Sequence, residues 1–407
     1  MSPAARSDSA MPPLALSDFS VVTSLGVGWA PTVDALRAGR SGLVPCTFDA
    51  LPFPTHVGEI AGLDAHALDA DMAGFDCRNN RLAAMALQQD GFAVSVAAAR
   101  ERYGVDRVGV FVGTSTSGLL QTETAYCRRD PATGRLPREF DYGRTHNTYS
   151  LARFVRTALG LAGPAFVMST ACAATAKVFG SAARMIAAGV CDAAVVGGAD
   201  TLCATTLFGF HALGVMAEEP CRPFDAERRG ISIGEAAAFI LLERPSDRHD
   251  ANTILLAGVG ESSDAYHMSS PHPDGIGARL AMERALAAAG LDPSAIDYIN
   301  LHGTATPVGD AAEDHAVFDL FGTATPCSST KGFAGHTLGA SGAIEAVFCA
   351  LSIQNDFLPG SPHTRAVDPA FKSQYVREGR RARVDRVISN SFGFGGANCS
   401  VVLVRAA

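Results

Sequence analysis

The sequence predicts an α/β protein that consists of two similar halves. Short apolar runs typical of strands alternate with alanine-rich runs typical of helices, a pattern that favours an α/β architecture. The 407 residues suffice for one large domain or two closely packed ones. A charged, proline-containing stretch at 243–252 separates two series of elements. We therefore predict an N-terminal half at 14–250 and a C-terminal half at 251–407, after a disordered tail at 1–13.

In the first half, the elements follow from apolar runs of strand length and from longer runs with helical spacing. Their order is a strand at 108–112, a helix at 151–161, a buried helix at 173–188 and strands at 193–196 and 236–242. The stretch at 121–148 contains several arginines and two prolines but little hydrophobic periodicity. We predict that it is a surface insertion that caps a site or forms an interface.

The second half has a similar alternation, although its residues do not visibly repeat those of the first. Its elements are a strand at 253–256, a helix at 278–289, a strand at 296–301, a helix at 341–353 and a closing hairpin at 387–404.

Composition excludes several classes of protein. The formal net charge of −8 argues against a general nucleic-acid-binding surface. The long apolar segment at 182–196 contains Arg184 and Asp192, so it does not predict a membrane span. The 10 cysteines have no C-x-x-C pair and no regular spacing, which is typical of reduced thiols in a cytoplasmic protein.

Cys172 is the strongest candidate for a nucleophile. It lies between a strand-like run and a predicted helix, in Ser169-Thr170-Ala171-Cys172-Ala173. A thiol in the first turn of a helix is close to the positive end of the helix dipole, which favours the thiolate. Nearby backbone N–H groups could stabilise an oxyanion. Taken alone, the residue would more often be a buried core cysteine.

Two histidines and a lysine follow in turns of the second half. His302 comes directly after a strand-like run, and a histidine there has about equal structural and functional interpretations. Lys331 and His336 lie in Lys331-Gly332-Phe333-Ala334-Gly335-His336, before a small-residue helix. The spacing lacks a further ligand pattern, so we predict no metal site.

The glycine-rich segment Phe392-Gly393-Phe394-Gly395-Gly396 superficially matches a phosphate-binding loop. It leads into a predicted strand instead of a helix, so no helix N-terminus is available for a phosphate.

These segments together resemble the elongating β-ketoacyl–acyl carrier protein synthases, condensing enzymes of the thiolase fold. The resemblance covers nearly the whole chain, and the combination of one cysteine, two histidines and a lysine is similar to elongating types I and II. Further matching segments are Val21-Val22-Thr23-Ser24-Leu25-Gly26, Cys221-Arg222-Pro223-Phe224-Asp225, Gly234-Glu235-Ala236 and Asp264-Ala265-Tyr266-His267-Met268.

The resemblance implies two similar α/β halves in a five-layered αβαβα arrangement and a decarboxylative Claisen condensation without a bound cofactor. Cys172 would take an acyl chain from a carrier protein or coenzyme A thioester. His302 and His336 would donate hydrogen bonds to the malonyl thioester oxygen and stabilise its enolate. The backbone N–H groups of Cys172 and Phe394 would form the oxyanion hole for acyl transfer.

Supporting roles follow from the same resemblance. Lys331 would be a fixed charge with Glu345 as its partner, and the less favoured alternative for Glu345 is a solvated helix residue. Thr304 and Thr306 would bind the phosphopantetheine arm, and Phe392 would contact substrate beside the gate residue Phe394. A monovalent cation could lie near the carboxylates Asp310 and Glu313, for which a structural role is an equal alternative.

The turn Gly113-Thr114-Ser115-Thr116-Ser117-Gly118 departs from the family pattern, which has a bulky apolar residue in the wall of the acyl tunnel. Thr116 would make that wall more polar and smaller. Similar Ser/Thr-rich turns occur in ketosynthases of polyene-type clusters, so the resemblance leaves open fatty acid elongation and the extension of an unsaturated or aryl-primed chain.

The partners implied are an acyl carrier protein, malonyl and acyl thioesters, and a second subunit, either a copy of this chain or a ketosynthase-like protein. Arg78 and Arg81 are candidates for docking the acidic carrier, with solvated arginines as the alternative. His211 replaces a docking arginine of many relatives, and Arg228-Arg229-Gly230 replaces Arg-Asp-Gly. A non-catalytic, chain-length-type subunit remains the rival function, but Cys172 argues against it.

Overall fold

The computed structural model describes residues 10–48, 51–246 and 252–406. Most of the predicted tail and the predicted boundary at 250 lie outside the described residues. Within the last part of that tail, the Met11 amide donates a hydrogen bond to the Ala288 carbonyl at 2.8 Å. The start of the described chain is thus attached to the second half.

The long central strands form where β-branched and apolar runs are buried on both faces, as at Val108–Gly113, Ala193–Asp200 and Ala236–Glu243. The strands are β1 (Leu14–Thr23), β2 (Gly26–Val27), β3 (Val44–Pro45), β4 (His56–Gly58), β5 (Val108–Gly113), β6 (Ala165–Met168), β7 (Ala193–Asp200), β8 (Ile233–Gly234), β9 (Ala236–Glu243), β10 (Ile254–Ser263), β11 (Tyr298–Asn300), β12 (Pro326–Ser328), β13 (Phe357–Leu358), β14 (Gln374–Tyr375), β15 (Arg380–Arg381), β16 (Arg386–Gly393) and β17 (Ala397–Arg405).

Helices form over the alanine-rich runs between them. They are α1 (Trp29–Ala38), α2 (Arg78–Leu87), α3 (Phe92–Tyr103), α4 (Leu119–Cys127), α5 (Tyr149–Ala158), α6 (Ala174–Ala187), α7 (Ala204–Ala212), α8 (Ile276–Ala289), α9 (Pro307–Phe321), α10 (Lys331–Ala334) and α11 (Ser341–Asn355). No single helix of the described residues is long and apolar enough to cross a membrane, whereas α2 and α3 pass such a test only as a pair bent by 75°.

The two halves have the same strand order. In the first half the order is β6-β5-β7-β9-β1, and in the second it is β12-β11-β16-β17-β10, with β14 added at the edge. In each half the first three strands are parallel and the last two are antiparallel. Pairing of β1 with β10 joins the halves into one sheet system. The prediction of two similar α/β halves is confirmed.

The central layer consists of α6 and α11, which pack against each other and against strands of both halves. Twelve of the 14 residues of α6 and 12 of the 15 residues of α11 are apolar, glycine or small hydroxyl residues, so both helices are suited to burial on several faces. Outer helices α2, α3 and α5 cover the first half, and α8 and α9 cover the second. These are the five predicted layers.

The predicted insertion at 121–148 is partly helical, because α4 begins at Leu119 and ends at Cys127. The following residues, 128–139, are mostly exposed and have no regular structure. The segment then returns to the body of the protein, where the Gly118 amide donates to the Thr145 carbonyl at 3.0 Å.

Candidate active site

Cys172 lies directly after parallel strand β6, in a short 3-10 turn at Ala171–Ala173 that leads into α6. Ala171 has a φ of 48°, a left-handed conformation that is strained for a residue with a side chain. The cysteine is only 6% exposed. The predicted strand-to-helix position of the thiol is therefore present in the structure.

The equivalent position of the second half, after β12, contains Lys331 and His336. Leu338 has a φ of 53° three residues before α11, as Ala171 does three residues before α6. The starts of the two central helices contact each other, since the Thr175 hydroxyl donates to the Gly339 carbonyl at 2.7 Å. A Cβ at Gly342 would lie 2.4 Å from the Ala176 nitrogen, so only glycine permits this approach.

The thiol and both imidazoles meet at this junction. His336 Nε2 is 3.0 Å from Cys172 Sγ, and His336 Nδ1 is 3.0 Å from the Ser341 hydroxyl. The His302 ring lies nearly perpendicular to that of His336, with centroids 5.4 Å apart. Because the Ser341 hydroxyl can donate or accept, it is compatible with either tautomer of His336.

Cys172, His302 and His336 also form a group of three potential metal ligands, with donor atoms within 4.8 Å of one another. The sequence spacing did not predict this proximity, because the three residues come from different turns. The charge nearby opposes a cation, since the Lys331 ammonium lowers the pKa of both imidazoles. The short S···N contact is accounted for by a hydrogen bond.

Burial decides the ionisation of the resting site. It raises the pKa of Cys172 to about 11, although Lys331 and the Phe394 amide act in the opposite direction. The expectation that the helix start favours the thiolate is wrong for this resting state, because desolvation exceeds the helix effect. Burial also lowers the pKa of His302 and His336 well below the usual range, so both are neutral near pH 7.

Lys331 is paired as the sequence predicted. Its Nζ lies 2.6 Å from Oε1 of Glu345, and both side chains are almost completely buried. Burial raises the pKa of Glu345, while the lysine lowers it. Glu345 is therefore not a solvated helix residue.

A mainly apolar cavity of about 310 Å³ opens onto Cys172. Thr304 and Thr306 line it, with their hydroxyl oxygens 3.0 Å apart. Phe392 and Phe394 also line it, and the Phe392 ring centroid is 5.9 Å from that of His302. The structure thus brings the predicted substrate-contacting residues of the second half to one cavity.

The glycine-rich loop brings Phe394 into the same cavity lining as Cys172, and the Phe394 amide acts to lower the pKa of the thiol. Gly395 and Gly396 have φ values of 80° and 76°, which residues with side chains rarely adopt. The loop then enters β17 as predicted, without a helix for a phosphate to bind.

Asp310 and Glu313 are buried, and their carboxylate oxygens accept hydrogen bonds from backbone amides of the same chain. Asp310 accepts hydrogen bonds from the Phe224 and Ala305 amides, and Arg228 Nε lies 3.7 Å from its Oδ2. Glu313 accepts from the amides of His302 and Gly303 at 2.8 and 2.7 Å. These carboxylates hold the His302 turn, and this supports their structural interpretation over a cation site.

Thr116 does not line the cavity around Cys172. Its side chain is buried and donates to Asp200 Oδ1 at 2.7 Å, and the same oxygen accepts the Thr114 hydroxyl and the Ser115 and Thr116 amides. Asp200 Oδ2 accepts the Ala340 amide at 3.2 Å. The polar tunnel wall at Thr116 stays a prediction, and its hydroxyl is directed to a buried carboxylate that sequence reasoning missed.

The docking predictions need correction. Arg78 is 2% exposed and forms two hydrogen bonds with Glu235, at 2.7 and 2.9 Å. It is therefore a core ion-pair residue and is inaccessible to a carrier. Arg81 is partly exposed but paired with Asp76, and the His211 ring stacks on Phe53 with centroids 3.6 Å apart.

Comparisons with known proteins agree with this geometry. Residues 13–248 match the family model "Beta-ketoacyl synthase, N-terminal domain", and residues 254–365 match the corresponding C-terminal domain. The chain is 35% identical to 3-oxoacyl-[acyl-carrier-protein] synthase 2 of Coxiella burnetii, over 96% of this chain and 98% of that protein.

Solved structures are also similar. The ketosynthase ApeO in complex with its chain length factor ApeC, from Xenorhabdus doucetiae, matches with a TM-score of 0.88 at 36% identity, covering 97% of this chain and 98% of that one. The ishigamide ketosynthase/chain length factor matches with a TM-score of 0.87 at 28% identity, covering 98% and 100%. The chain therefore belongs to the β-ketoacyl synthase family and is a thiolase-fold condensing enzyme of the acyltransferase class.

Proposed function

We propose that Cys172 carries the growing acyl chain, and that His302 and His336 promote decarboxylation of a malonyl thioester that then extends it. The observation that carries this assignment is the convergence of a buried thiol, two neutral imidazoles and the Phe394 amide on one cavity. The rival role of a non-catalytic subunit does not require this set of groups.

Acyl transfer begins with removal of the Cys172 proton. His336 Nε2, 3.0 Å away, accepts it as Sγ attacks the thioester carbonyl, and its Nδ1 then donates to Ser341. The amides of Cys172 and Phe394 stabilise the oxyanion. Collapse forms the acyl–Cys172 bond and breaks the incoming carbon–sulfur bond, while the departing pantetheine thiolate takes up the proton.

The condensation step uses the imidazoles as hydrogen-bond donors. The malonyl carbon–carboxylate bond breaks, carbon dioxide leaves, and the electron pair becomes an enolate on the thioester. For this step neutral His336 is the Nε2–H tautomer, with Nδ1 accepting from the Ser341 hydroxyl, and it donates with neutral His302 to the enolate oxygen. The enolate carbon attacks the acyl carbonyl, a carbon–carbon bond forms, and the Cys172 thiolate leaves and takes a proton from solvent water.

Lys331 acts without touching the reacting atoms in this scheme. Its ammonium is fixed by Glu345 and lowers the pKa of Cys172 and of both imidazoles. This favours a thiolate on the cysteine during acyl transfer and uncharged histidines during condensation. Thr304 and Thr306 are suitably placed along the cavity to bind the pantetheine arm of a carrier protein.

We propose a conjugated or otherwise unsaturated chain as the preferred substrate, extended on an acyl carrier protein in the cytoplasm. The Ser/Thr-rich turn at 113–118 supports this choice over housekeeping fatty acid elongation, because similar turns occur in ketosynthases of polyene-type clusters. Saturated fatty chains are the alternative substrate.

We further propose that a ketosynthase-like subunit, or a second copy of this chain, completes the enzyme. Strand β6 is an edge of the sheet, and all four of its residues are only half-buried. Such an edge can pair with another chain. Exposed Tyr126 and Tyr142 lie in the nearby 119–149 segment and could extend the contact.

The test is intact-protein mass spectrometry after incubation with saturated and conjugated acyl–carrier proteins, with Cys172→Ala as the control. An adduct that is absent from the variant supports the nucleophile, and the chain that labels fastest identifies the substrate class. His302→Ala should still be acylated but should condense about 100-fold more slowly, because it removes one enolate donor. No adduct from any donor would contradict the catalytic role, and native mass spectrometry of the same sample gives the subunit composition.

A further inference from the structure

We propose that Glu123 is a positioning residue that sets where Phe210 lies in the cavity wall, and through it how readily Phe394 admits a thioester to Cys172. The inference rests on the proposed function, because it assumes that thioesters enter through this cavity. It assigns a role in catalysis to α4, which lies outside the cavity wall.

Helix α7 has no cap from its own sequence. Its N-cap residue, Cys203, makes no side-chain capping hydrogen bond. Glu123, from α4, accepts the first two amides of the helix instead: Ala204 N at 3.0 Å and Thr205 N at 2.6 Å. A carboxylate at this end satisfies unpaired amides and interacts favourably with the helix dipole.

The Glu123 carboxylate is fully committed to this helix. Each of its two oxygens accepts one of the two amides, and it forms no ion pair with the residues that the structure describes. Its contacts therefore indicate one task, which is to hold the start of α7 against α4.

The later residues of α7 connect its first turn to the cavity. Leu207 is buried in a small cluster with Leu202 and Ile231. Phe210 follows three residues later, on the same face of the helix. It lines the cavity with Cys172, and its ring centroid is 5.9 Å from that of Phe394 at an interplanar angle of 44°.

A nine-residue helix is short enough that its first turn affects its whole position. Without Glu123, two helix-start amides lose their acceptors, and the first turn becomes less stable. Phe210 then loses its fixed position as the surface on which Phe394 rests. We expect this to change the entry of thioesters and not the later chemistry.

The experiment compares Glu123→Ala with Asp90→Ala. Asp90 accepts the amide of Trp29 at the start of α1, so its variant also removes a carboxylate from a helix start, but at a helix that does not line the cavity. We measure the rate of Cys172 acylation by an acyl–carrier protein, KM and kcat for condensation, and the melting temperature of both full-length variants.

The expected result is a rise of about fivefold in the KM for the acyl–carrier protein in Glu123→Ala, with kcat nearly unchanged. Asp90→Ala should lose comparable thermal stability but keep its KM. Glu123→Gln should recover part of the effect, since its amide oxygen can still accept one of the two N–H groups. Combined with Phe210→Ala, Glu123→Ala should add little further loss, because both act through the same ring.

Two outcomes overturn the inference while leaving the proposed function intact: a Glu123→Ala enzyme whose KM matches that of Asp90→Ala, or additive losses in the double variant. Failure of the unmodified protein to acylate at all would count against the proposed function, and this is measured first in the same assay.

Discussion

The buried Lys331–Glu345 pair allows a quantitative prediction of stability. The lysine and glutamate side chains are 2% and 4% exposed, and their charged atoms are 2.6 Å apart. Glu345→Leu would leave the ammonium buried without a counter-charge. Loss of one member of such a pair costs about 3–5 kcal/mol, which is a large part of the stability of an ordinary domain.

The second variant, Lys331→Met with Glu345→Leu, removes both charges and keeps similar side-chain volumes. It should recover most of the loss, because an apolar pair needs no desolvation. Urea unfolding followed by circular dichroism measures both free energies. As a control, Glu139→Leu breaks the exposed pair with Arg128 and should leave the unfolding midpoint nearly unchanged.

The rate of Cys172 acylation distinguishes the double variant further. The double variant should fold but acylate slowly, since Lys331 no longer lowers the pKa of the Cys172 thiol. A single variant as stable as the unmodified protein would refute the reasoning, and so would a double variant no more stable than the single one.

Three further predictions concern single groups. The rate of Cys172 alkylation by iodoacetamide, measured by peptide mass spectrometry, should rise about tenfold per pH unit from pH 7 to 10. The reason is that the thiolate forms only towards a pKa of about 11. A plateau of the rate below pH 8 would contradict this. Asp200→Ala should lower the free energy of unfolding in urea by about 3 kcal/mol, because several buried donors lose their acceptor. An unchanged unfolding midpoint would contradict this and would show that water replaces the carboxylate. Arg81→Glu should raise the KM for carrier-bound substrates while sparing coenzyme A thioesters, and equal effects on both would remove Arg81 from the docking surface.

Local sequence patterns predicted much of the fold and the centre of the site. The strand and helix around Cys172 follow from an apolar run, small residues and a turn, all within about 20 positions. The Lys331–Glu345 contact was predicted from the family resemblance, and its residues are 14 positions apart with the start of α11 between them. Such features depend on local geometry that one segment can encode.

The errors have a common physical origin in contacts between distant segments. Arginine in a helix is usually exposed, so the sequence predicts a surface position for Arg78. Its side chain is buried because it pairs with Glu235, 157 positions later. The hydrogen bond between Thr116 and Asp200, 84 positions later, is likewise a contact that no single segment reveals. The helix-start argument for the Cys172 thiolate left out burial by surrounding elements, which raises the pKa of the thiol and is not visible in one segment.

The matched strand orders of the two halves explain how one reaction centre draws on both. The same topological position holds a thiol in one half and an ammonium with an imidazole in the other, so two halves of equal strand order make complementary contributions. Neither half has all the groups that the proposed reaction needs. The first half has the thiol for the acyl chain but not the imidazoles that stabilise an enolate, and the second half has the imidazoles but not the thiol. The architecture therefore makes catalysis a property of the fused pair, and each copy constrains how far the other can change.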